Sequence, residues 1–251
     1  MPPDVDFRTP RLFVDHVLSA GEDIALDRAQ SNYLGNVMRL AAGDAVLVFN
    51  GREGEWRAEV RGSKRADRLT VIERVRAQET LPDFAYVFAP LKHARLDYMV
   101  QKAIEMGVSR LTPVITRHTQ VARVNLERMR ANVIEAAEQC GILSLADIDE
   151  PQPLARYLET RVGERLLVFC DEDAELGDPV TALNAIKQTG NEGVDLLVGP
   201  EGGFEASERD ALLKQPLVIR LSLGPRILRA DTAAVAALTL AQTVLGDWRQ
   251  D

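Results

Sequence analysis

Short apolar runs dominate the first 75 positions. Residues 11–14, 45–49, 56–60 and 69–75 read as strands. Asn50-Gly51 is a strong turn signal, and Arg52-Glu53-Gly54-Glu55 continues it as an exposed hairpin tip. Residues 27–40, apolar at Leu34, Val37 and Met38 with Ala41 just beyond, predict a short helix, and Gly43-Asp44 turns the chain into the next strand. Several short strands and one helix predict a small β-barrel over residues 1–75, a kind of unit that often serves as a binding platform.

A polar stretch, 74–82, ends in Pro82 and reads as a linker. Beyond it the period changes. Strands are predicted at 84–89, 111–116, 166–170, 194–198 and 217–221, alternating with helical patterns. Residues 94–106 place Leu96, Met99, Val100 and Ala103 on one helix face, with Gly107 suited to the C-terminal cap. Residues 126–140 carry a stripe of Leu126, Met129, Val133 and Ala137. Alternating strands and helices predict an α/β domain over 82–251 with a mostly parallel sheet. The last helix, from Thr232 to Leu245, is apolar almost all round. Its Val235, Leu238, Ala241 and Leu245 are covered either by the chain's own core or by a second subunit.

Composition narrows the class. The 251 residues are 46% hydrophobic and 27% charged, which excludes wholesale disorder. No apolar run reaches membrane-spanning length, and the first residues lack the basic start and apolar core of a secretory signal. Cys140 and Cys170 are too few for a disulfide framework or a zinc site and read as buried free thiols of a cytoplasmic protein. Net charge is −8, yet residues 81–130 hold eight Lys/Arg against four Asp/Glu. A basic centre in an acidic chain can still bind phosphates, because local potential governs that contact.

Familiar catalytic signatures are missing: no Walker A sequence, no dinucleotide fingerprint, no nucleophile elbow, and only His16, His93 and His118, scattered. Two glycine-bearing segments remain, Leu197-Val198-Gly199-Pro200-Glu201-Gly202-Gly203-Phe204 and Leu221-Ser222-Leu223-Gly224-Pro225-Arg226-Ile227-Leu228-Arg229-Ala230-Asp231-Thr232. Each follows a predicted strand, where open α/β sheets bind ligands, and glycine lets backbone approach a ligand closely.

These two segments resemble the bacterial small-subunit ribosomal RNA uridine-N3 methyltransferases of the SPOUT class. Arg11-Leu12-Phe13, Asn36-Val37-Met38-Arg39-Leu40 with Gly43-Asp44, Gln101-Lys102-Ala103-Ile104-Glu105-Met106-Gly107-Val108 and Glu135-Ala136-Ala137-Glu138-Gln139-Cys140-Gly141 are similar to that family's other motifs, in the same order. The likeness covers nearly the whole chain. It implies a PUA-like β-barrel at 1–75 and a SPOUT methyltransferase domain at 82–251 with a trefoil knot, in a homodimer whose subunits complete each other's sites.

It further implies S-adenosylmethionine (SAM) held by Cys170, Gly199, Pro200, Glu201, Gly202, Leu223, Gly224, Ile227, Leu228 and Thr232. The third loop of that site is then Phe169-Cys170-Asp171-Glu172. Ala230-Asp231 replaces the family's common Thr-Glu, and Ile142 its common Arg.

The implied substrate is 16S ribosomal RNA near the decoding region, naked or in the assembled small subunit. Methyl transfer to uracil N3 requires loss of its proton and stabilisation of charge on the flanking carbonyls. Arg229 is the natural stabiliser. Asp231 or Glu201 either accepts the proton or holds Arg229, and an Arg229–Asp231 pair that merely fixes the loop is the alternative. Arg11, Arg39, Lys92, Arg95 and Lys102 are candidate RNA contacts, and no metal or membrane is required. Competing readings are a noncatalytic RNA-binding assembly factor, a methyltransferase for another RNA, and an α/β enzyme for another adenosine-type ligand.

Overall fold

The computed structural model describes residues 6–62, 66–92, 94–121, 123–187 and 193–248. His93 and the first five residues, on which the signal-sequence reading partly rests, lie outside them. The chain divides into two compact units, Met1–Thr80 with Ala137–Leu145, and Leu81–Ala136 with Ala146–Asp251.

In the first unit, β1 (Arg11–Phe13), β2 (Asp23–Ala25), β3 (Ala45–Phe49), β4 (Glu55–Arg61) and β5 (Arg68–Arg76) form one sheet in the order β1-β3-β4-β5-β2. The β1–β3 pair is parallel and the others are antiparallel. The period-2 pattern does what it predicts. Val46 and Val48, Ala58 and Val60, and Leu69 and Val71 enter one core with Leu12 and Ile24. Strand β2 carries a single buried residue, Ile24, too little for a periodic signal.

The predicted helix over 27–40 is shorter and differently wound. Asp27 caps α1 (Arg28–Asn32) by accepting a hydrogen bond from the Gln30 N–H, and a π-helical turn, Tyr33–Val37, follows. The wider turn breaks the 3.6-residue spacing, so Leu34 is buried while Val37 and Met38 face solvent.

The second unit is built on a seven-stranded sheet. Its strands are β6 (Phe84–Phe88), β7 (Arg110–Ile115), β8 (Asp147–Ile148), β9 (Gln152–Pro153), β10 (Leu166–Cys170), β11 (Val194–Val198) and β12 (Val218–Leu221). They run in the order β12-β10-β11-β6-β7-β8, with β9 on β7, and every pairing is parallel. Between them lie α2 (Ala94–Glu105), α3 (Leu126–Cys140), α4 (Leu154–Thr160), α5 (Pro179–Lys187) and α6 (Ala206–Leu213); α7 (Ala230–Val244) ends the unit. Strands β6 and β11 are buried at every position, the mark of strands covered on both faces.

Two expectations are corrected here. Leu238 and Ala241 of α7 are buried within the single chain, so they do not require a second subunit; Val235 and Leu245 are half-buried. Cys140 is exposed and Cys170 partly so, and neither forms a disulfide. No helix among the described residues is long and apolar enough to cross a membrane.

Candidate active site

Strands β12, β10 and β11 are neighbours, and their register aligns Leu221 with Cys170 and Cys170 with Val198. Three parallel strands therefore end at one level, and the loops that leave them converge. Between the loops lies a cleft of about 330 Å³, within the range of small-molecule sites. Cys170, Gly199, Pro200, Glu201, Leu223, Gly224, Ile227 and Leu228 line it, as expected; Gly202 and Thr232 do not. Sequence reasoning passed over Leu176 and Ala174, which add small and apolar wall but carry no motif of their own.

The glycines have separate reasons. A Cβ on Gly199 would lie 2.9 Å from the Phe204 ring, which packs edge-on against Phe169 with centroids 6.1 Å apart. A Cβ on Gly202 would lie 3.1 Å from the Cβ of His118, whose Nδ1 sits 3.2 Å from the Gly203 carbonyl oxygen. At both positions packing leaves little room for a side chain. Gly203, at φ +68°, takes the left-handed conformation of its turn and presses against the Glu172 carboxylate. Gly224 differs: a Cβ would meet nothing within 4 Å, and glycine is required there by the backbone, whose φ is +98°.

Asp171 ties the loops together. Its carboxylate is 1% exposed and accepts hydrogen bonds from Arg209 Nε at 3.0 Å, Arg220 Nε at 2.7 Å and its neighbour Asp173 N–H at 3.1 Å. Its own N–H donates to the Leu221 carbonyl. One side chain so joins the loop after β10 to β12 and α6. Burial alone would raise its pKa, but the three hydrogen bonds and the charge of Arg209 together hold it below the ordinary carboxylate value. Burial, with the Asp171 charge beside it, pushes the Cys170 thiol up to about 12, so this cysteine is a neutral wall residue.

Charges gather at the cleft's edge. Arg95, in the first turn of α2, places Nη1 3.4 Å from Glu201 and Nε 3.8 Å from Asp231. It bridges the carboxylates of the two glycine-bearing segments, the partnership that sequence reasoning assigned to Arg229. Arg229 is exposed and has no carboxylate within ion-pair distance among the described residues. The loop-fixing Arg229–Asp231 pair is therefore not formed, and Asp231 instead accepts from the Thr232 N–H. Beneath, the buried Tyr86 hydroxyl donates to the Met99 sulfur at 2.9 Å.

The basic candidates do not behave alike. Arg11 is corrected: its side chain is 4% exposed, bonded to Glu55 at 2.5 Å and donating to the Glu138 carbonyl, and cannot offer its charge to RNA. Lys102 donates to both Glu105 oxygens, at 2.6 and 2.7 Å. Arg39, at φ +59°, and Lys92 are exposed. Among the described residues no cluster of His, Cys, Asp and Glu could hold a metal ion.

The comparisons agree with this geometry. Residues 78–242 match the RNA methyltransferase domain family, and residues 26–72 match the RNA methyltransferase PUA domain. A "Ribosomal RNA small subunit methyltransferase E" from Synechocystis is 31% identical over 88% of this chain and 73% of its own length. One from Rickettsia conorii is 28% identical over 91% and 93%. Among solved structures, one from Legionella pneumophila in complex with the bound cofactor SAM aligns at TM-score 0.77 and 25% identity, over 94% of this chain and 97% of its own. The fold of the Neisseria gonorrhoeae ribosomal RNA small subunit methyltransferase E aligns at TM-score 0.82 and 24% identity, over 96% and 100%. With a parallel α/β sheet whose converging loops form the cleft, a PUA-type unit before it and these matches along its length, the chain belongs to the RNA methyltransferase family.

Proposed function

We propose that this protein transfers a methyl group from SAM to N3 of a uridine in 16S ribosomal RNA of the small subunit. The observation that carries the reading is the convergence of three loops at the aligned ends of β12, β10 and β11. The cleft suits SAM. Leu176, Leu223, Ile227 and Leu228 offer apolar wall to an adenine, and the glycine turns leave backbone groups for its polar edges. When bound, SAM supplies an electrophilic sulfonium methyl group.

The chain's own groups do the rest. Arg229, exposed beside Leu228 of the cleft wall, supplies donors for the charge that develops on the uracil carbonyls. Asp231, held by Arg95 at the start of α7, is placed to take the imide proton, and Glu201 completes the bridge. Arg95 belongs to this apparatus as a positioning residue rather than to the RNA grip first assigned to it. Arg39 and Lys92 remain for contacts with RNA, which the PUA-type unit shares. We further infer a homodimer, with the half-buried Val235 and Leu245 of α7 in its interface, a trefoil-knotted cofactor site, and a cytoplasmic location.

Titration calorimetry with SAM, followed by methylation of 16S RNA and of assembled small subunits, tests the reading. Binding with transfer to uridine N3 supports it. Absence of SAM binding at millimolar ligand would replace it with a noncatalytic RNA-binding assembly factor.

A further inference from the structure

A second hollow, of about 260 Å³, opens at the carboxyl ends of β6 and β7, and we propose that it seats a backbone phosphate of the substrate RNA beside the target uridine. The proposal rests on the methyltransferase reading and extends it to a defined RNA subsite. Lys92 from the loop after β6, Gln120 and Arg123 from the loop after β7, and Arg128 from α3 line the hollow, with Asp97 as its one lining carboxylate.

Asp97 is already engaged. Arg128 Nε donates to its two oxygens at 2.9 and 3.1 Å, and Asn132 Nδ2 donates to one of them at 3.0 Å. These bonds fix the Arg128 guanidinium in place. Lys92 and Arg123 have no carboxylate within ion-pair distance among the described residues. The cations of α2 itself are paired, Arg95 with Glu201 and Asp231 and Lys102 with Glu105. Three cations and one carboxylate therefore line this concavity, which leaves it net positive. A fixed guanidinium with two unneutralised cations around a hollow is the chemistry that receives a phosphodiester.

Its position supports an RNA phosphate. Strands β11, β6 and β7 are adjacent and parallel, so the hollow and the cofactor cleft open on the same edge of the sheet. The Lys92 carbonyl accepts from the Arg95 N–H at 3.2 Å, and the Arg95 guanidinium reaches the carboxylates at the cleft's edge. A strand whose uridine enters the cleft passes this hollow.

The test compares the full-length protein with its Lys92→Ala/Arg123→Ala variant. The KM for RNA should rise roughly tenfold or more, and the salt dependence of RNA affinity should flatten by about one unit per cation removed. SAM affinity should stay within about twofold of wild type, because neither residue lines the cofactor cleft. A neutral methylphosphonate scanned through the linkages flanking the target should weaken wild-type binding at one linkage and leave the variant indifferent there. Equal KM, equal salt slope and equal methylphosphonate sensitivity would overturn the subsite. So would a hollow that takes inorganic phosphate without competing with RNA. A wild type that binds no SAM would instead overturn the methyltransferase reading, so the two failures are distinct. The charge-reversed pair Lys92→Glu/Arg123→Glu, folded by its SAM affinity, must weaken RNA more than the alanine pair.

Discussion

Removing the Asp171 carboxylate should loosen the cofactor cleft and destabilise the unit around it. Deleting one partner of a fully buried ion pair costs about 3–5 kcal/mol, because the other charge is left without compensation. Here Asp171 is 1% exposed, but its partners Arg209 and Arg220 retain 19% and 30% and can recruit water. Arg209 also keeps Asp173, at 2.7 Å. We therefore expect Asp171→Asn to lose about 2–3 kcal/mol, the scale of the charged hydrogen bonds that disappear.

For a unit of this size that lowers the melting temperature by roughly 4–12 °C. Scanning calorimetry and denaturant unfolding measure it, and titration with SAM reports the loosened loops as weaker affinity. The pH dependence has a definite sign. The folded pKa lies below the unfolded one, so the contribution is fully present above the unfolded value, near 4, and vanishes as pH falls through the folded pKa. The stability gap between wild type and variant should be flat from pH 8 to 5 and close in acid. A variant within about 0.5 kcal/mol of wild type, with unchanged SAM affinity, would refute the clamp.

Arg229→Ala should lower turnover roughly 100- to 1,000-fold with SAM affinity retained, since the side chain is unpaired and addresses developing charge; wild-type turnover at saturating SAM and RNA would remove it from the mechanism. Asp231→Asn should also slow transfer, with partial rescue at high pH, where the uracil imide ionises in solution; a slow variant without rescue would leave Asp231 only a positioning role. Gly199→Ala should destabilise the fold by about 1–3 kcal/mol through the Phe204 ring, and Gly224→Ala should destabilise it through backbone strain at φ +98°; thermal unfolding measures both, and a Gly224→Ala variant as stable as wild type would refute the strain. Alkylation near pH 8 should label Cys140 and spare Cys170, whose thiol stays protonated up to about 12; mass spectrometry showing Cys170 modified equally fast would contradict its neutral state.

The local pattern alone determined the longer strands, the long helices and the two loops, but not β2, β8, β9 or the π-helical turn. Alternation at Val46 and Val48 or Leu69 and Val71 specifies one buried face of a sheet, and continuous apolar runs at Phe84–Phe88 and Val194–Val198 specify strands buried on both faces. Glycine segments after such strands mark where backbone is free to meet a ligand. Each signal lies within a few residues of chain. What tertiary structure decided was partnership between distant residues. Nothing local pairs Arg11 with Glu55, Asp171 with Arg209 and Arg220, or Arg95 with Asp231, because ion pairing depends on which side chains the fold brings within about 4 Å. For the same reason the sequence left open whether Asp231 pairs with Arg229, and the fold supplied that carboxylate with Arg95 from another helix. Burial of Leu238 likewise depends on what packs over α7, and a helix's own hydrophobicity does not reveal whether its cover comes from its own chain or from another.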